Sequence, residues 1–140
     1  MDYVTVYVSP FESDIQADGL TPSAVKTDIE LRLRQYKIPL ESWDFPDGLQ
    51  PSPGLVARVT SLKTANGVSY VYNVVVELEQ EVRLAGRVGV TFPNVDGAYI
   101  RVPTWRRSQV GIIPASEARD IRDGINDAVD GFINDWLAVH

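Results

Sequence analysis

Three groups of side chains in this chain of 140 residues stand close enough in sequence to act together. Arg101, Thr104, Trp105, Arg106 and Arg107 form the densest polar–aromatic cluster. Arginine and tryptophan dominate the energetic centres of protein interfaces, so Arg101, Trp105, Arg106 and Arg107 are the candidate surface for a protein partner or an anion. The plainer reading is an edge strand guarded by charge, with Trp105 anchored in the core. Asp120, Asp123, Asp127 and Asp130 recur at spacings of three, four and three, which lines four carboxylates along one helical stripe. A hard cation such as calcium or magnesium prefers such oxygen ligands, and these four are the weak candidates for a metal. A solvated helix face interleaved with Arg119 and Arg122 explains the same pattern with no metal. Glu77, Glu79 and Glu81 alternate along a strand and read as its wet face, because a general acid needs apolar surroundings that raise its pKa.

Beyond these groups the chemical inventory is short. The only histidine is His140, too near a terminus for a fixed triad. There is no Gly-x-Ser-x-Gly elbow, phosphate-binding loop or dinucleotide glycine pattern, so neither a catalytic residue nor a cofactor is expected. The chain has no cysteine, which excludes disulfides, thiolate zinc sites and cysteine nucleophiles. Its net charge is −6, and an acidic domain repels phosphate backbones, so nucleic acid is not expected as a partner. No apolar run reaches the roughly 18 residues of a membrane span. No basic start followed by an apolar core stands at the N-terminus, so no export signal is expected within this sequence.

The elements that must position these residues follow from periodicity. The size fits one α/β domain over residues 1–140. Leu20–Leu40 reads as an amphipathic helix capped by Thr21, with Pro22 in its first turn and Val25, Ile29, Leu33 and Tyr36 on one stripe. Asp28–Arg32 and Glu30–Arg34 are expected as (i, i+4) ion pairs, and Pro39 as the stop. Tyr3–Ser9 alternates as a first strand, and Phe11–Gly19 reads as a polar loop. Ile38–Phe45 is a short second strand, and the proline-rich stretch Pro46–Gly54 is a loop. Leu55–Thr64 and a strand of about sixteen residues from Tyr70 make a hairpin around Asn66-Gly67. That strand is far longer than usual, which predicts a bend or bulge. Ala85–Gly97 is read as a flap. Ala98–Arg107 is a fifth strand, and Pro103 makes it an edge or bulged strand. A loop closed by Pro114 leads to a last helix, capped by Ser116. Its stripe is Ala118, Ile121, Ile125, Val129, Phe132 and Trp136, and Gly124 and Gly131 let it lie close to a neighbour. The order is β-α-β-β-β-β-α. This is an α+β class two-layer α/β sandwich: a mixed sheet of four to five strands with two helices on one face.

Several phrases carry a resemblance. Gly19–Thr21, the run Asp28–Arg34 followed by Ile38-Pro39, Thr104-Trp105 and Val129–Leu137 are together similar to a group of small, mostly uncharacterised bacterial proteins. Those proteins are often exported, and the resemblance implies a periplasmic or exported location. The order of elements is also similar to periplasmic α/β domains of envelope lipoproteins and of the curli secretion pore. The expected function is a non-enzymatic binding or assembly module of the bacterial envelope with a protein partner. Tyr7, Val71 and Val75 supply a second apolar patch for a homodimer. The alternative is a small-ligand binding protein or a carboxylate-dependent enzyme, with its site between loops 46–54 and 85–97.

Overall fold

The computed structural model describes residues 3–41, 53–83 and 99–140, without the side chains of 81–83, 99 and 100. The elements run β1 (Thr5–Val8), α1 (Ser13–Ala17), α2 (Pro22–Gln35), β2 (Gly54–Lys63), β3 (Ser69–Arg83), β4 (Tyr99–Pro114), a 3-10 turn (Ala115–Asp120) and α3 (Ile121–Val139). The four strands form one mixed sheet in the order β1-β2-β3-β4. β1 is parallel to β2, and the other neighbours are antiparallel. Of the expected short second strand, the described part contributes one parallel bridge from Leu40 to Val4. The rest of that strand, the loop Pro46–Ser52 and the flap Ala85–Gly97 lie outside the described residues.

Strict alternation builds the core. Val4, Val6, Leu55, Ala57, Val59, Tyr70, Val74, Val76 and Leu78 are buried on one face of the sheet. Against them pack Val25, Ile29 and Leu33 of α2, and Ile121, Ile125, Val129, Phe132 and Ile133 of α3. All described helices belong to this layer. Thr21 caps α2 as the sequence requires, its hydroxyl accepting from the Ala24 N–H at 3.3 Å.

Four expectations about the helices and their ends are corrected. Phe11–Gly19 is not simply a polar loop: Ser13–Ala17 is helical because Ile15 and Phe11 insert into the core. The stripe of α2 stops at Leu33, and Tyr36 is exposed. Pro39 does not end that helix. The Lys37 N–H donates to the Arg34 carbonyl and the Ile38 N–H to the Leu33 carbonyl, both at 3.0 Å, with Lys37 at φ +60°. This is a Schellman turn, normally closed by glycine. α1 ends the same way on Gly19, at φ +105°, with bonds from Gly19 to Gln16 and from Leu20 to Ile15. Ser116 caps nothing; the chain leaves Pro114 in a 3-10 turn before α3 begins at Ile121.

The last strand runs seven residues past its expected end at Arg107, to Pro114, and displaces the predicted loop. Gly111 makes this possible. It faces Tyr72 across the ladder, and an added Cβ would stand 2.6 Å from the Tyr72 hydroxyl. The ring covers the glycine, a known way of mending a strand there. The two α3 glycines do a related job: Gly124 gives room to Gln109, and Gly131 to the Arg107 guanidinium.

Candidate functional site

β4 is one of the two edge strands of the sheet among the described residues, and it carries the expected arginine–tryptophan cluster. The cluster does not act as one site. Neighbours on a strand point to opposite faces, so Arg106 and Arg107 separate. Arg107 and Trp105 face the helices; Arg106 faces the open side. Arg101 would face away from Arg106 at a spacing of five. A bulge reverses that parity: Leu78 pairs with Trp105 but Glu79 pairs with Pro103, leaving Thr104 as the extra residue. The expected bulge and the expected edge position of Pro103 are thus both present.

On the open face the bulge gathers an ion-pair lattice. Glu77 accepts from Arg58 and, at 3.0 Å, from Arg106 Nε. Glu79 accepts from Arg58 Nη2 at 2.9 Å, and Arg101 Nε stands 3.6 Å from it. Glu77 is therefore not on a wet face: it is 3% exposed. Burial pushes its carboxyl up, but the hydrogen bonds from Arg106 and Arg58 outweigh burial and hold it below the usual carboxylate range. A carboxyl held that way is a poor general acid. Arg101 and Arg106 are thus each engaged with a glutamate, within a lattice of three arginines and two glutamates.

Toward the hairpin the open face changes character. Leu62, Val71 and Ile112 stand in one row across β2, β3 and β4, and Val110 follows Ile112 on the same side. They are 72%, 40%, 73% and 75% exposed. Tyr7 is also exposed, at the other end of the face. No described helix covers this surface.

The aspartates of the last helix do not converge. Asp130 is bound to Arg32 at 3.1 Å. Among the described residues no group of three or more histidines and carboxylates is placed to hold a metal ion. The charges instead bind helix to helix. Arg122 clamps Asp28 through two bonds of 2.7 Å, which holds the guanidinium above its ordinary pKa, chiefly through the hydrogen bond with Asp28. Asp28 and Arg32 thus reach across to α3 and do not pair with each other; Glu30–Arg34 forms as expected, at 3.3 Å. A second link ties α1 to the hairpin. The buried Tyr70 hydroxyl and Lys63 both donate to Asp18, and the Tyr70 bond is the main reason its carboxyl is held low.

A feature that sequence reasoning missed lies on the helix side of the bulge. A cleft of about 420 Å³ opens between the end of α3 and strands β3 and β4. Leu78, Trp105, Phe132, Trp136 and Val139 give it apolar walls, and Gln80, Thr104 and Asp135 give it polar groups. Trp105 meets Phe132 edge to face at 5.4 Å and donates its indole N–H to Asp135 at 2.8 Å. Trp136 packs on Phe132 at 5.7 Å and stacks on His140 at 4.0 Å. Pro53, at the end of the loop before β2, closes one side. The sequence signal was two tryptophans 31 residues apart, Trp105 and Trp136, each accounted for separately as core.

No protein-family model matches the chain, and no curated protein matches it in sequence.

Proposed function

We propose that this chain is a non-enzymatic binding or assembly module that presents the open face of its sheet to a protein partner, and that it works in the bacterial envelope. The observation that carries the binding role is the exposed row Leu62–Val71–Ile112 with Val110. Contiguous apolar surface on a sheet costs solubility unless something covers it. The lattice beside it sets three arginines against two glutamates, so a partner meets an apolar patch bordered by charged groups that are largely paired with one another. A second copy of the chain fits that description, as does another envelope protein. The envelope location is supported by the resemblance of the sequence phrases, and the charge of −6 argues against nucleic acid.

The test is capture of the tagged protein after crosslinking in its own organism, with wild type and a Leu62→Glu/Ile112→Glu variant in parallel. The proposal expects one or two envelope proteins, or a second copy, in near-equal amount with wild type and their loss with the variant. Equal capture by both removes the open face from the account.

A second reading has a specific observation in its favour. A small-ligand binding protein needs a concave site with mixed lining, and the cleft beside Pro53 is one. The carboxylate-enzyme form was expected between loops 46–54 and 85–97, of which only Pro53 and Gly54 are described, and Glu77 and Glu79, tied to arginines, do not supply its carboxylates.

A further inference from the structure

We infer that the cleft at the end of α3 takes a small organic cation bearing methyl groups on nitrogen, a quaternary ammonium compound. This rests on the second reading above, that the cleft is a ligand site. Three aromatic rings from two elements border it: Trp105 from β4, and Phe132 and Trp136 from α3. Phe132 is buried beneath the tryptophans and one face of Trp136 is covered by His140, which leaves Trp105 and the rest of Trp136 for a ligand to meet. Ring faces carry the negative part of the aromatic quadrupole and attract cations, tryptophan most strongly. The Trp105 indole donates its N–H to the Asp135 carboxylate, which pushes electron density into that ring. Asp135 is exposed and retains further lone pairs, so its charge also acts on the cleft directly.

The described lining argues against the other ligand classes. Among the described residues bordering the cleft there is no lysine or arginine; the one basic group is His140, stacked on Trp136, so an anion would meet mainly aromatic rings and a carboxylate. A metal ion needs several convergent donors, and among the described residues no such group exists. A primary ammonium is strongly hydrated and would give up that water to apolar walls. A methylated ammonium has an apolar shell around its charge and suits walls of leucine, valine and aromatic rings. Gln80 and Thr104, already bonded to each other at 2.6 Å, offer the remaining polar contacts at one edge.

The test uses the full chain and choline, at constant ionic strength. The reporter is the Trp105 indole N–H resonance, with tryptophan fluorescence as a second signal. The inference expects a saturable shift with choline and binding about tenfold weaker for 3,3-dimethylbutan-1-ol, which has the same shape without the charge. Asp135→Asn keeps an acceptor for the indole N–H and removes only the charge; it should weaken choline several-fold and leave the alcohol unchanged. Trp136→Leu should weaken choline as well, with folding of both variants checked by their melting curves. If the alcohol binds as tightly as choline, the cleft is a ligand site but the inference about charge is overturned. If neither saturates, the ligand-site reading falls, and the inference with it.

Discussion

Two helices of this protein close with the same Schellman turn, one on Gly19 and the other on Lys37. An L-residue in left-handed geometry costs about 1–2 kcal/mol, so Lys37 carries strain that glycine would relieve. Glycine returns about 0.4–1 kcal/mol of that by gaining freedom in the unfolded chain. The lysine charge near the end of α2 favours the helix dipole by a few tenths of a kcal/mol, and salt screens it. Lys37 is exposed, and among the described residues its side chain makes no hydrogen bond or ion pair. Lys37→Gly is therefore expected to stabilise the protein by about 0.5–1 kcal/mol in moderate salt. Unfolding entropy of about 2 cal/mol/K per residue over 140 residues converts this to a rise of about 2–3 °C in Tm. Gly19→Ala is the mirror experiment. An added Cβ there would touch only the Arg119 Cβ, at an ordinary 3.9 Å, so the net loss of about 0.5–1 kcal/mol is backbone strain less the entropy that alanine removes from the unfolded chain. Urea unfolding followed by circular dichroism measures both. A Lys37→Gly protein no more stable than wild type, or a neutral Gly19→Ala, refutes the reasoning.

Gly124→Ala and Gly131→Ala should each raise stability by up to about 1 kcal/mol, since only the ends of Gln109 and Arg107 must move aside. Gly111→Ala should cost about 1–3 kcal/mol, because the Tyr72 ring has to leave its place; thermal melts separate the two outcomes. Glu77→Gln removes a buried charge held by two arginines. Those arginines are 43% and 61% exposed and can turn to water, so the loss is discounted to about 1–2 kcal/mol at neutral pH. Because the folded pKa of Glu77 lies below its unfolded value, this stabilisation is complete above the ordinary carboxylate range and is lost as pH falls through the folded pKa. Denaturant titrations of wild type and Glu77→Gln should therefore begin to converge only once pH falls below the ordinary carboxylate range, and meet below the folded pKa of Glu77. A double-mutant cycle on Asp28 and Arg122 should give a coupling of about 1 kcal/mol that shrinks in high salt, and a coupling of zero would deny the clamp any share in holding α2 on α3.

Local pattern and tertiary geometry divided the work of specifying this fold. Alternation and 3.6-residue periodicity were enough for the Thr21-capped helix, the Asn66-Gly67 hairpin and the core face of β3, while the length of β3 and Pro103 pointed to a bulge without fixing its place. The end of β4 was hidden because its exposed positions, Val110 and Ile112, are apolar, while the positions facing the helix layer include Gln109 and Gly111. That polarity is reversed from an ordinary half-buried strand and is read as a loop. Asp28 and Arg32 satisfied the rule for pairing along one helix, yet a neighbouring helix offered each a partner. The cluster Arg101–Arg107 shows the sharper limit. Its division between two faces follows from strand alternation alone for Arg106 and Arg107. The reunion of Arg101 with Arg106 depends on one extra residue, Thr104, whose place in the ladder no local signal sets. The cleft was invisible for a like reason: its walls come from elements that only the closed sandwich brings together.

The most direct test of the binding role is site-specific photo-crosslinking in the native organism. A photoreactive residue is placed at Ile112 or Leu62 on the open face, or at Leu31 on the exposed side of α2. The account predicts one discrete adduct, of the same identity, from Ile112 and Leu62, and none from Leu31. No adduct from the sheet positions, or the same pattern from all three, would contradict it.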